Sequence, residues 1–137
     1  MNRKVEAVLE YNKIKNILKE YVISPVAEEK VLELRPFDDI NLVRKLQQET
    51  SEGVALLKAG INLPLAGIKD IREGLRLAKV GAVLSPGQLL EIASTMRTAR
   101  MIKSLWKEKK LEGITIIDSI ISNLHSFQSL EEKIEKA

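Results

Sequence analysis

The chain has 137 residues, of which 45% are hydrophobic and 30% are charged, and its formal net charge is +3. This length is typical of one domain with its own hydrophobic core, and the composition is too apolar for intrinsic disorder. The absence of cysteine excludes disulfide frameworks, thiol nucleophiles and Cys-ligated metal sites. The net charge is well below that of a dedicated nucleic-acid domain.

The beginning of the chain does not have the pattern of a targeting segment. Glu6 and Glu10 interrupt any apolar stretch long enough for a secretory signal, and all apolar runs are far shorter than the roughly 20 residues of a membrane-spanning helix. The sequence therefore predicts a soluble, cytoplasmic protein with no membrane partner.

Apolar residues recur at helical spacing from the first residues onward. With Asn12 as a cap, the pattern predicts a short helix to about Glu10 and a second helix to about Val22. Ser24, which is followed by a proline, predicts the start of another short helix that closes at Pro36.

A five-turn amphipathic helix is predicted next, opened by Asp38 or Asp39 and ending near Gly60. Its predicted apolar face consists of Ile40, Val43, Leu46, Thr50, Val54 and Leu57. Residues 61–69 predict a packed, non-helical loop because they contain proline and glycine among aliphatic residues.

The second half of the chain predicts further helices. Asp70 and Glu73 have the spacing of a capping box for a helix that Gly81 ends. Ser85 and Gln88, with proline between them, predict the start of one long helix over about 85–110.

The run ITIIDSIISNL at 114–124 favours a helix by context, although its β-branched content permits a strand. Ser129 and Glu132 predict a capping box for a final helix. The chain stops at Ala137 inside this charged helical pattern, so we expect it to be a fragment of a larger chain. Together the patterns predict an all-α, multi-helix bundle with one long helix.

The residues offer little chemistry. His125 is the only histidine, so a multi-histidine metal site is excluded, and its place near a helix end favours a surface role over a catalytic one. No phosphate-cradling glycine motif is present. The sequence predicts no catalytic residue, no metal site and no cofactor in this segment.

The long helix has two candidate functional faces. Four basic residues lie within one sector and form a candidate nucleic-acid-binding stripe or, alternatively, a solvated face: Arg97, Arg100, Lys103 and Lys107. The apolar face changes sides along the helix, which makes a second set a candidate inter-domain contact: Met101, Ile102, Leu105 and Trp106. The alternative is a kinked helix that folds back on residues 114–124 and buries Trp106 within this segment.

Several stretches carry a family resemblance: VLEYNKIKNILKEY, LRPFDDINLVRKLQQETSEGVALL, PLAGIKDIREGLRLAKVGAVLSPGQLLEI and TARMIKSLW. In order and spacing they resemble the amino-terminal region of the bacterial MutS-II family, from about Val5 to Leu130. The resemblance implies that residues 1–137 form the first part of a helical core and lever scaffold.

The same resemblance implies that a clamp, an ATPase domain and a carboxyl-terminal Smr endonuclease domain follow in the whole protein. That protein would be a dimeric ATPase, using ATP and Mg²⁺, that binds branched DNA and suppresses recombination or splits collided ribosomes. No ATPase or nuclease residue of the family falls within this sequence. A second hypothesis is a stand-alone helical module for protein–protein interaction.

Overall fold

The computed structural model describes residues 10–136, so the helix predicted to end at about Glu10 falls almost entirely outside the described residues. Seven α-helices and one 3-10 turn make up this part of the chain, which contains no strand, and the all-α prediction is confirmed. The elements are α1 (Tyr11–Glu20), α2 (Pro25–Glu33), α3 (Ile40–Lys58), the 3-10 turn (Leu65–Gly67), α4 (Arg72–Lys79), α5 (Pro86–Lys109), α6 (Ile116–Ser122) and α7 (Gln128–Lys136). None of these helices is both long and apolar enough to cross a bilayer.

Helices α1 and α2 pack against each other as a hairpin. The Lys15 ammonium donates to the backbone carbonyl oxygen of Leu32 at 2.7 Å, and Lys19 forms an ion pair with Glu28. Arg72, the first residue of α4, forms an ion pair with Glu29 of α2, with Nη1 to Oε2 at 2.8 Å. This pair connects the hairpin to the following helices.

The caps of α2, α3 and α5 are those that the sequence predicts. The hydroxyl of Ser24 accepts a hydrogen bond from a backbone N–H of α2 at 3.3 Å, and one carboxylate oxygen of Asp39 accepts two from α3 at 2.8 and 3.3 Å. Ser85 and Gln88 form the predicted reciprocal capping box. These caps satisfy helix-end donors that would otherwise lack partners.

The predicted capping box of α4 is wrong. Asp70 lies two residues before the helix and binds the Arg72 guanidinium, with Nη2 to Oδ2 at 2.7 Å. Glu73 is paired with Arg76, one turn along the helix, with Nη2 to Oε1 at 2.6 Å. Asp70 also accepts a hydrogen bond from the backbone N–H of Arg72 at 3.2 Å, but the charged guanidinium groups are the stronger donors to both carboxylates. The predicted end of the helix at Gly81 is confirmed, because this residue has φ 75°.

Two other predicted helix starts are also shifted. Glu10, in the left-handed conformation with φ 52°, precedes α1, and Asn12 lies inside its first turn. Helix α7 begins at Gln128, so Ser129 lies within the helix and cannot serve as its cap. Gln128 donates to the carboxylate of Glu132 at 3.0 Å instead, across one turn.

Helix α3 has the predicted length but buries a different face. Leu56 and Glu52 are its buried residues, whereas Ile40, Val54 and Leu57 from the predicted apolar face are exposed. The reason is that α6 packs against α3 and places its amino-terminal N–H groups on the Glu52 carboxylate. The predicted apolar face is thereby left largely on the surface.

The segment 61–69 is a packed loop as predicted, with a 3-10 turn that lies on α5. A Cβ atom added at Gly67 would lie 2.1 Å from the Oγ1 atom of Thr98. The Ser94 hydroxyl donates to the Gly67 carbonyl oxygen at 2.9 Å. The absence of a side chain at residue 67 therefore allows the loop backbone to contact α5.

The long helix α5 is unbroken over 24 residues, about 36 Å at 1.5 Å per residue. Ile92 and Ala93 are buried in its first half, and Thr98, Ile102 and Trp106 in its second. At 100° per residue the two sets lie roughly a third of a turn apart, so the predicted change of buried face is present. The main core lies between α3, α5 and α6 and consists of Leu56, Ile61, Ile102, Trp106, Ile114 and Ile121.

Candidate interdomain surface and basic face

Arg97 and Arg100 of α5 lie against α7 and share the carboxylate of Glu131. Arg100 approaches it with Nε to Oε2 at 3.1 Å and Nη2 to Oε1 at 2.9 Å, and Arg97 with Nε to Oε1 at 3.2 Å. Arg97 is also paired with Glu135. Glu131 is only 3% exposed. The Arg100 guanidinium lowers the pKa of this carboxyl below its usual range, against the opposing effect of burial.

The other two residues of the predicted basic stripe lie beside the start of α7. The Lys103 ammonium donates to the backbone carbonyl oxygen of Leu124, and Lys107 is exposed. Both line a shallow cleft of about 290 Å³ together with Arg100. Three of the four stripe residues thus bind α7 or the loop that precedes it. Phosphate contact by the stripe stays a prediction.

The predicted inter-domain residues have different environments. Ile102 and Trp106 belong to the main core, and the Trp106 Nε1–H donates to the Asp118 carboxylate of α6 at 2.7 Å. This hydrogen bond and the ammonium group of Lys110 lower the pKa of Asp118. Trp106 is buried within this segment, as in the second alternative, although α5 is one continuous helix and not the kinked helix of that alternative. A contact with another domain through Ile102 or Trp106 would require opening this core.

Met101 is the exposed member of that set, and Leu105 is half-buried. Met101 lines a groove of about 410 Å³ between α5 and the 61–67 loop. A second groove of about 430 Å³ adjoins it between α3, the same loop and α6. The two grooves share Ile23, Leu63 and Leu65. We call the two together the apolar groove.

Glu52 binds the amino-terminal end of a distant helix, a role that the sequence does not predict. Its two carboxylate oxygens accept hydrogen bonds from the backbone N–H groups of Thr115, Ile116 and Ile117 at 2.9–3.2 Å. Burial raises the pKa of Glu52, but these backbone donors and Gln48 outweigh it and lower the pKa to about 2. The carboxylate thus caps α6 from another helix.

The described residues bring together little that could perform chemistry. His125 is exposed in the loop between α6 and α7, with the ring of Phe127 at 6.3 Å between centroids. Between residues 10 and 136 no three His, Asp or Glu side chains are grouped as a metal site would require. The carboxylates with strongly lowered pKa values are those that cap helices or pair with arginines.

No protein-family model matches the chain, but many curated proteins are similar to it. It is 41% identical to the Endonuclease MutS2 of Alkaliphilus metalliredigens and 40% identical to that of Ruminiclostridium cellulolyticum, over 98% of its own length and 17% of theirs. It is 35% identical to the Endonuclease MutS2 of Clostridium beijerinckii, over 100% of its length and 18% of that protein. The chain thus spans about one sixth of these relatives.

Proposed function

We propose that the chain is the non-catalytic, amino-terminal scaffold segment of a protein of the MutS2 type. It is homologous over its whole length to a segment of the MutS2 endonucleases, which confirms the family resemblance. Its role is mechanical: it packs against the remainder of its own longer chain. The long helix α5 connects movements of that remainder to a clamp on nucleic acid.

The observation that carries this proposal is the amount of apolar surface left over after folding. Among the described residues only eight hydrophobic side chains are buried, while nineteen large hydrophobic side chains are exposed. Four of them line the apolar groove: Ile23, Leu57, Leu65 and Met101. Soluble proteins that act alone rarely expose large contiguous apolar patches, and such patches mark contact surfaces. A stand-alone interaction module would use the same surface for a different protein.

In this proposal the chemistry belongs to the rest of the longer chain. ATP and Mg²⁺ would be bound there, and the endonuclease activity that the relatives' name states would be carried out there. The whole protein would act as a cytoplasmic homodimer on branched DNA, suppressing recombination, or on collided ribosomes. The described residues would contribute shape and contacts.

The proposal is tested with two measurements on the purified 137-residue chain. It should show no ATP hydrolysis and no nuclease activity above the level of a mock purification. When it is co-expressed with the remainder of the longer chain, the two pieces should co-purify in equal amounts. Turnover that follows the chain through successive columns, or failure of the two pieces to associate, would contradict the proposal.

Nucleic-acid contact by the basic stripe of α5 is a separate part of the proposal. If Arg100 and Lys103 contact phosphates, duplex DNA should bind with an affinity that falls steeply between about 50 and 200 mM salt. The double variant Arg100→Gln, Lys103→Gln should then bind more weakly and with a smaller dependence on salt. Unchanged binding in this variant would remove the stripe from the interface.

A further inference from the structure

Among residues 10–136, no charged side chain lines the part of the apolar groove that is formed by α3, the loop and α6. The described residues that line this part are aliphatic, apart from Gly53 and the polar Asn62. Leu57 is 67% exposed and Ile23 is 63% exposed, so the apolar atoms of these two side chains are largely in water, whereas Leu56 and Ile61, which also line this part, are buried. Leaving this surface uncovered costs free energy in proportion to its area.

The chemistry of the walls argues against a small polar ligand. Sites for small molecules are typically apolar clefts of about 300–1,000 Å³ that also contain a few polar groups to orient the ligand. The volume of about 430 Å³ is in that range, but of the residues that the structure describes, Asn62 alone provides a polar side chain to it. An apolar helix face needs no such polar groups, because its backbone hydrogen bonds are internal.

We propose that the apolar groove is the docking site of an amphipathic helix from the part of the longer chain that lies outside residues 1–137, with Met101 at its edge. This inference rests on the proposed function and names the surface that it uses. The relatives are about six times as long as this chain, so they contain ample sequence to cover it. Among the described residues, the walls formed by α3, the loop and α6 contain no charged side chain, and Arg97 lines only the part that contains Met101. Uncharged walls are typical of permanent contacts, whereas transient interfaces are more polar.

The test uses thiol labelling, because the 137-residue chain contains no cysteine. Leu57→Cys and Met101→Cys each place one thiol in the groove. Leu90→Cys is the matched control, since Leu90 is also an exposed apolar residue of α5, 60% exposed, and does not line the groove. Each variant is labelled with N-ethylmaleimide in the 137-residue chain and in the longer protein, and the rate is read from the modified peptide by mass spectrometry.

In the longer protein we expect labelling at positions 57 and 101 to slow by at least about tenfold, while labelling at position 90 keeps its rate. Equal rates in both forms at all three positions would overturn the inference. Slowing in the 137-residue chain itself that grows with protein concentration would also overturn it, because the occupant would then be a second copy. If the remainder co-purifies with the chain and positions 57 and 101 stay reactive, the apolar groove is not the docking site and the proposed function stands.

Discussion

The Glu52 carboxylate lies 2.9 Å from the backbone nitrogen of Ile117, so the middle of α3 caps the beginning of α6 across 65 residues of sequence. Helix starts leave backbone N–H groups without partners, and a carboxylate at this position satisfies several of them at once. Glu52 therefore joins two of the three helices that enclose the main core.

Stability should depend on pH through Glu52. Its pKa is lowered from 4.5 to about 2 in the folded chain, so its contribution is fully present above about pH 4.5 and is lost as pH falls toward 2. Glu52→Gln should unfold more easily than the wild type at pH 7, and the difference should shrink between these two pH values. Urea unfolding followed by circular dichroism measures it.

The control for this variant is Glu108→Gln, which removes the same charge from an exposed position on α5. It should leave the free energy of unfolding almost unchanged over the same pH range. A deficit in Glu52→Gln that stays constant down to pH 2 would show that the carboxylate does not act through its charge.

Removal of the Trp106 side chain should open the main core. Trp106→Ala leaves a large cavity and an Asp118 carboxylate without its indole donor, so we expect a loss of about 3–5 kcal/mol in the free energy of unfolding. Trp106→Phe keeps most of the ring and loses the hydrogen bond, and should cost about 1–2 kcal/mol. Chemical denaturation of the three proteins gives these values. A Trp106→Phe variant as stable as the wild type would contradict a stabilising role of the hydrogen bond, and equal stability of the two variants would contradict the role of the ring in the core.

A methyl group at Gly67 should push the 3-10 turn away from α5. Because the added Cβ atom would lie 2.1 Å from the Thr98 hydroxyl oxygen, Gly67→Ala should destabilise the fold by about 1–3 kcal/mol. Thr98→Ala in the same chain removes that oxygen and should restore part of the loss. The comparison variant is Gly53→Ala, in an open position within α3, which should stabilise the chain by about 0.5–1 kcal/mol.

Helix α7 should detach when its buried carboxylate is neutralised. Glu131 is the only residue of α7 that is buried, and it is held by Arg97 and Arg100. In Glu131→Gln the charge-assisted hydrogen bonds are weakened, so amide hydrogen exchange in α7 should quicken by about tenfold or more while α6 stays protected. Glu132→Gln, at the exposed neighbouring position, is the control. Unchanged exchange in Glu131→Gln would mean that apolar contacts hold α7.

The parts of the fold that are predictable from sequence are those set by residues a few positions apart. Ser24, Asp39 and Ser85 cap donors within their own first turn, and Gly81 ends α4 by its own backbone conformation. Such contacts depend on local spacing alone, so the sequence contains all the necessary information.

The capping boxes of α4 and α7 were wrong because other local partners bind the same side chains, whereas the buried face of α3 was wrong because of a contact with a distant segment. The buried face of α3 is set by α6, whose N–H groups attract Glu52, and a glutamate on a helix otherwise has the pattern of a solvated residue. One signal was present in the sequence: Gln48, Glu52 and Leu56 follow one another at a spacing of four, which places the buried carboxylate and a core leucine on one face. Likewise the basic residues share one sector as predicted, but only the fold places Glu131 opposite them.

The different buried sides of α5 at its two ends have a mechanical consequence. A rotation of this helix about its own axis that lifts Ala93 from its neighbours must also turn Trp106 within the main core, because an unbroken helix transmits torsion along its length. Both ends of α5 therefore turn through the same angle.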